Sequence, residues 1–327
     1  MNNDVVVFPR DFAPAHALQN PETLIACGDA VSAGSVSGDT IEVDVGSRPL
    51  RLVLRGFKIM DPPRPARSNG SNALYLASGK DKRDGLLLQY LPPHATTSLH
   101  FHACTRETFH LLAGQAALRT PWGTEVPLNV RRSVTNDEFV PHQVVTAESA
   151  SVILLEMALP SESTGMKDHF YVDANTALDI HSKGAYPSSE LSNFAAHGFS
   201  IDGVDCASME GFLQSLKEPD PEVQRMICKL VGGEAKRRGE KLNLARLPSD
   251  PLHWQGQVID RRSQSYQQLL DRAYAELAKS GSFQKALAAT GEALLVHSIG
   301  KKLPEDTILT ETELCSRLLR IRYSLQS

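Results

Sequence analysis

The chain has 327 residues, 22% of them charged and 41% hydrophobic, with a formal charge of -4 at neutral pH. That length supplies two cores of ordinary domain size, and the mild acidity argues against non-specific coating of nucleic acid. No stretch approaches the roughly 18 apolar residues of a membrane helix. The opening MNNDVVVFPRDF lacks a signal peptide's order, and five scattered cysteines without CxxC suit a reduced, cytoplasmic protein.

Residues 1–36 carry little pattern and read as an irregular arm interrupted by Pro9, Pro14 and Pro21. Ile41–Val45 and Leu50–Leu54 alternate enough for two short strands. Met60–Asn72, MDPPRPARSNGSN, reads as a loop because its prolines and Asn-Gly interrupt regular elements. Its Arg64 and Arg67 either reach an anion or are simply solvated. ALYLAS, GLLLQYL, TTSLHFH, TFHLLAGQAALR and SVILLEMAL then follow as short strand-like pieces between turns. Such repetition indicates an all-β barrel or sandwich.

Of 11 histidines, five lie between His94 and His142. His100 and His102 alternate around Phe101, so a strand would put both imidazoles on one side. Glu107 and His110 follow, and His142 comes after Pro141. A lone His-x-His on a strand needs no metal. Three histidines and a carboxylate converging inside a barrel would suit Fe(II), Mn(II), Zn(II) or Ni(II).

Pro160–Glu190 ends the alternation, and a domain boundary is expected around Pro160–Met166, with Phe170, Tyr171 and Val172 opening the second domain. Beyond it, Leu191–Lys217 passes from a turn-rich loop into a helix capped by Asp205 or Ser208. Glu210, Gln214 and Lys217 then share one helix face, either a solvated stripe or a polar wall of a pocket. A second helix starts at Pro221 behind Asp220 and breaks at Gly232–Gly233. Lys236, Arg237 and Arg238 form a basic cluster ending at Gly239. Further helices are expected from Ser263 or Ser265, over SFQKALAATG up to Gly291, and from Thr310 or Thr312, with EALLVHSIG as a strand. The second half is therefore helix-rich α+β. Neither GxGxxG nor GxxxxGK[ST] occurs, so Rossmann and P-loop readings are unavailable.

Two resemblances organise these observations. His100-Phe-His102, four residues, Glu107, six residues and Gly114, followed by Pro141-His142, resemble the paired motifs of cupins, although the leading glycine and the glycine between Pro141 and His142 are missing. This resemblance implies a cupin-like β-barrel over 1–162, with a divalent transition metal on His100, His102, Glu107 and His142. A homodimer through that domain would be in keeping with it.

LSNF (Leu191–Phe194), SMEGFLQSLK (Ser208–Lys217), PEVQRMICKLVGGEAKRRG (Pro221–Gly239) and FQKALAATGEALLVHS (Phe283–Ser298) resemble the NADAR family of YbiA-like N-glycosidases. Here Gly211 stands where the family often has His, and His297 where it often has a carboxylate. The resemblance implies a 168–327 domain that cleaves an N-glycosidic bond of an ADP-ribosylated base or related ribosylated nucleotide, with no cofactor there. Its partner would be an ADP-ribose-containing small molecule or ADP-ribosylated nucleic acid. Glu210, Lys217 and Asp306 would be catalytic, with Lys217 as acid or as a Schiff-base nucleophile. Asn193, Phe194, Gln214, Lys236, Trp254 and His297 would bind substrate, Trp254 by stacking on the base. Two alternatives are an ADP-ribose sensor and a metal-dependent cupin enzyme acting on a nucleotide or sugar.

Overall fold

A computed structural model describes residues 4–9, 31–45, 48–55, 57–66, 72–79, 84–158, 168–243 and 250–326. Two compact units, Met1–Tyr171 and Val172–Ser327, divide the chain. The first is strand-rich and the second helix-rich.

The strands of the first unit are β1 (Asp4–Pro9), β2 (Val31–Ser37), β3 (Thr40–Val45), β4 (Arg48–Arg55), β5 (Phe57–Ala66), β6 (Asn72–Gly79) and β7 (Asp84–Leu91). They continue with β8 (His100–His102), β9 (Arg106–Arg119), β10 (Glu125–Pro127), β11 (Val134–Asn136), β12 (Gln143–Ala158) and β13 (His169–Tyr171). A four-stranded sheet runs β1-β4-β3-β2, and a seven-stranded sheet runs β10-β9-β12-β7-β6-β5 with β11 on β9. Period-two burial shows in β3, where Ile41, Val43 and Val45 are fully buried and the residues between them are not. Those side chains join one apolar layer with Leu74, Leu76, Leu88, Leu112, Val152 and Leu154 of the larger sheet. The other face of the larger sheet carries a second layer of Leu87, Phe109, Leu111, Val144, Ile153 and Leu155. Burial on both faces explains why Val152–Leu155 is an unbroken apolar run.

Three expectations change here. Asp4–Pro9 and Val31–Ser37 form strands within the expected arm, while residues 10–30 lie outside those described. Most of the Met60–Asn72 loop is also strand: β5 runs to Ala66, with Arg64–Ala66 paired to β6 and a register shift after Ile59. The prolines are tolerated because β5 is the sheet edge, where a missing N–H costs no ladder bond. Residues 67–71 and 159–167, including Arg67 and the expected Pro160–Met166 boundary, are outside the described residues. Finally, Phe170 and Tyr171 pair with Phe101 and His100 in the first unit instead of opening the second. Phe170 stacks on Phe101 with ring centroids 5.0 Å apart, which ties this strand to β8.

The second unit contains β14 (Ala177–Asp179), α1 (Ser188–Leu191), β15 (Phe199–Ile201), β16 (Val204–Cys206), α2 (Met209–Ser215), α3 (Pro221–Cys228) and α4 (Gly232–Asn243). It continues with β17 (Leu252–Trp254), β18 (Gln257–Ile259), α5 (Gln264–Leu277), α6 (Gly281–Ala288), β19 (Leu294–Val296) and α7 (Glu311–Gln326). β19 pairs in parallel with β14, and the other four strands make two hairpins. Ser208, Asp220 and Ser263 cap α2, α3 and α5 through their side chains. Thr310 and Glu313 bond reciprocally at the start of α7 as a capping box. Phe212, Leu216, Tyr266, Leu270, Phe283, Leu295 and Leu318 are at most 1% exposed and form the centre of this unit.

Two helix boundaries depart from expectation. α2 ends at Ser215, so Lys217 lies just beyond it, on a tightened turn whose N–H approaches the Gln214 carbonyl at 3.4 Å. α4 opens at Gly232 but does not end at Gly239; it runs on to Asn243, placing Lys236–Arg238 in mid-helix. Gly239 serves packing instead, since a Cβ there would fall 1.6 Å from Gln214 Oε1.

Candidate functional site

A cleft of about 560 Å³ in the second unit is lined by Asn193, Phe194, Glu210, Gln214, Lys217, Lys236, His297 and Asp306, with His181, Arg261 and Lys301 beside them. Local folding explains the convergence. Ser208 Oγ accepts from Gly211 N at 3.0 Å and donates to the Leu230 carbonyl at 2.9 Å, seating the start of α2 on the end of α3. Glu210 N donates to the Asn193 carbonyl at 2.9 Å, joining the LSNF loop to the helix. The i, i+4 spacing lets Gln214 Nε2 donate to Glu210 Oε1 at 2.8 Å. Tyr274 donates to Asn193 Oδ1 at 2.9 Å, and Lys236 Nζ sits 5.9 Å from the Phe194 ring centre.

Charge in the cleft is constrained by burial. Glu210 is 7% exposed, and burial raises its carboxyl pKa against the opposing pull of the Gln214 bond and the Lys236 and Lys217 charges. Lys217 is also buried, whereas Asp306 is exposed at the rim. His297 Nδ1 faces the Ile180 carbonyl at 2.5 Å, and its backbone N–H donates to buried Glu311 at 2.7 Å. Arg261 grips Glu313 through two bonds of 2.9 and 2.7 Å. A buried carboxylate with a raised pKa beside an amine, in a concave pocket, is suited to proton transfer.

Trp254 does not join this group. It is 4% exposed, packs edge-on against Phe212, and donates from Nε1 to Asp202 at 2.8 Å. Its ring faces are taken up in the core, so it does not offer a stacking platform in the cleft. Gly211 likewise does not shape the cleft wall. A Cβ there would meet the Leu230, Cys228 and Ile227 carbonyls at 2.6, 2.8 and 3.1 Å, so its small size is a packing requirement against α3.

In the first unit, His100, His102, Glu107 and His142 line a cavity of about 140 Å³ with Phe109, Val144 and Leu155. Antiparallel bonds between the His100 and His142 backbones hold the two histidines side by side. His100 Nδ1 donates to the Ser98 carbonyl at 2.8 Å, and His142 Nδ1 faces the Val140 carbonyl and the Asn136 amide. Anchoring through Nδ1 leaves Nε2 of each ring for the cavity. Ligand atoms of His100, Glu107 and His142 lie within 4.8 Å of one another, as do those of His100, His102 and His169. Glu107 Oε2 and His142 Nε2 are buried 2.8 Å apart, yet neither has a partner in hydrogen-bond geometry. Convergent buried atoms in that state fit a divalent transition metal.

Asp168 and His169 were not legible as site residues. Asp168 Oδ2 meets His102 Nδ1 at 2.8 Å, while Oδ1 accepts from the Cys104 and Thr105 N–H groups. Burial opposes a charge on His102, but Asp168 and Glu107 outweigh it and lift its pKa to about 9. Burial and the neighbouring His142 instead lower His100 to about 4. Burial pushes Glu107 up, but His102 and His142 outweigh it and hold the carboxylate below its usual range. The sequence signal for Asp168 and His169 is no more than an alternating HFY segment, because its pairing with HFH is long-range.

Among the described residues, no helix is long and apolar enough to cross a membrane. Residues 185–323 match the family of bacteriophage protein GP30.3. An uncharacterized 17.1 kDa protein from the Gp30-rIII intergenic region of Enterobacteria phage T4 is 39% identical over 150 residues, covering 45% of this chain and 98% of that protein. Among solved structures, the DMSP lyase DddQ from Ruegeria pomeroyi aligns with a TM-score of 0.26 and 17% identity, over 29% of this chain and 50% of its own. A predicted oxalate decarboxylase from Thermotoga maritima aligns with a TM-score of 0.27 and 19% identity, over 30% of this chain and 92% of its own. The chain thus spans only half the length of the lyase.

Proposed function

The chain belongs, through residues 185–323, to the bacteriophage protein GP30.3 family, and we propose, on the geometry of the cleft, that its second unit hydrolyses an N-glycosidic bond. The substrate is an ADP-ribosylated base of the ADP-ribosyl-guanine type or a related ribosylated nucleotide. One observation carries this reading: Glu210, Lys217 and Asp306 line a single cleft with Asn193, Gln214 and Lys236. The Glu210 carboxylate removes a proton from water as the C1′–O bond forms. The C1′–N bond breaks with its electron pair going to the base nitrogen, which takes a proton from the Lys217 ammonium. Glu210 then returns its proton to the Lys217 amine, with Asp306 at the rim as the shuttle. A raised Glu210 pKa makes it a stronger base, and a buried carboxylate also stabilises positive charge developing at C1′. Asn193 and Gln214 orient ribose hydroxyls, and Lys236 meets a phosphate.

Incubation with guanine-ADP-ribosylated DNA, NAD, ADP-ribose and riboflavin-pathway intermediates tests the reading. Release of base from at least one, lost in E210Q, is expected. Tight ADP-ribose binding without any release would replace the enzyme with a sensor.

A second reading is favoured by a separate observation, the buried Glu107 and His142 atoms converging with half-buried His100 in the first unit. On this reading the strand-rich unit carries metal-dependent chemistry on a nucleotide or sugar. A divalent ion there supplies a Lewis acid. His100, His102, Glu107 and His142 would hold it, with Ser98 and Val140 fixing ring orientation. Metal analysis of purified protein tests this, and less than about a tenth of an equivalent of any transition metal would sink it.

A further inference from the structure

β13 brings two groups to the first-unit cavity from outside the four-residue set. His169 is the direct cross-strand partner of His102 in the antiparallel β13–β8 pair, which places both side chains on one face. Its ring lies 4.9 Å from His102 and 4.5 Å from His100, centroid to centroid. Its ligand atom joins theirs in a triad within 4.8 Å, and it lines the same cavity. Asp168, one residue earlier, holds Nδ1 of His102 and is itself held by Thr105 Oγ1 at 2.7 Å and by the Cys104 and Thr105 N–H groups. A carboxylate behind a histidine, aiming the far nitrogen at a shared point, is how outer residues orient metal ligands.

We propose that His169 is a fifth ligand of the divalent ion at this centre, and that Asp168 is the positioning residue that aims His102 at it. The ligand set then consists of two overlapping groups that share half-buried His100: one with buried Glu107 and His142, the other with His102 and exposed His169. The inference rests on reading the first unit as a metal centre. It goes beyond the four-residue motif by assigning ligation to the strand that ends the unit. Stacking of His169 on His102 as a mere cover is the competing explanation, and it predicts no direct metal–His169 bond.

Full-length protein stripped with a chelator and titrated with Co(II) decides between them. In H169A, Co(II) binding is expected to weaken about tenfold or more, with a shifted visible absorption band because one nitrogen ligand is gone. D168N is expected to weaken binding roughly 10–100-fold while leaving the number of imidazole ligands unchanged. Urea unfolding of the metal-free proteins checks that H169A folds as wild type does, and H169Q replaces it if it does not. Affinity within about twofold of wild type and an unchanged band in the folded His169 variant would overturn the ligand assignment while leaving the metal centre standing. No Co(II) binding by wild type would overturn both.

Discussion

Gly211→Ala separates a packing role from a propensity effect because the two predict opposite signs. Inside a helix, alanine is favoured over glycine by up to about 1 kcal/mol, so propensity alone predicts a more stable second unit. In the fold, however, a Cβ at Gly211 would sit 2.6, 2.8 and 3.1 Å from the Leu230, Cys228 and Ile227 carbonyl oxygens. All three are backbone atoms, so relief requires α2 to move away from α3. Overpacking of this kind costs about 1–3 kcal/mol, and it also threatens the Ser208–Leu230 bond that seats the helix. The net expectation is a loss of about 1–2 kcal/mol. With a urea m-value of about 1–3 kcal/mol/M, the unfolding midpoint of this unit should fall by roughly 0.5–1 M. One tryptophan lies in each unit, so fluorescence of Trp254 in a W122F background reports the second unit. Because Glu210 precedes Gly211, turnover should fall as well. A raised midpoint would refute the close approach of α2 to α3.

Further outcomes follow from the same geometry. If Glu210 is the base, kcat/KM should rise with pH only as the carboxyl ionises, with its acid limb above the ordinary glutamate range because burial raises that pKa; a limb at or below that range counts against the assignment. Arg261→Ala, which leaves Glu313 without its bidentate partner, should cost about 3–5 kcal/mol in chemical unfolding. Burial raises Glu313 but Arg261 outweighs it and lowers the folded pKa. Its stabilising contribution is therefore present above the ordinary value of 4.5 and is lost as pH falls from there towards the lowered folded value. Melting temperatures across that window should drop more steeply for wild type than for E313Q. Trp254→Phe should cost about 0.5–1.5 kcal/mol through its lost bond to Asp202 and leave KM unchanged. A large KM rise would return Trp254 to the substrate site.

Much of the second unit was legible because its signals are local. Caps at Ser208, Asp220, Ser263 and Thr310 depend on residues a few positions apart, as does the Glu210–Gln214 bond. The edge-strand prolines in β5 were misread because local pattern cannot tell a loop from a strand whose open edge needs no N–H. Trp254 was misplaced for a related reason: an indole suits a base platform or a core, and Phe212 and Asp202 decide which.

The change from strand-rich to helix-rich organisation is readable along the chain, and the two resemblances pick out the four candidate metal ligands and, Trp254 excepted, expected site residues that do line the cleft. Alternation, capping and helical spacing are short-range properties carried by neighbouring side chains. Only the tertiary structure decided that His169 lies beside His102, that Asp168 holds the His102 ring, and that Gly211 and Gly239 are small for packing. Those facts depend on strands and helices far apart in the chain coming within a few ångströms, and no spacing rule along the sequence encodes that distance.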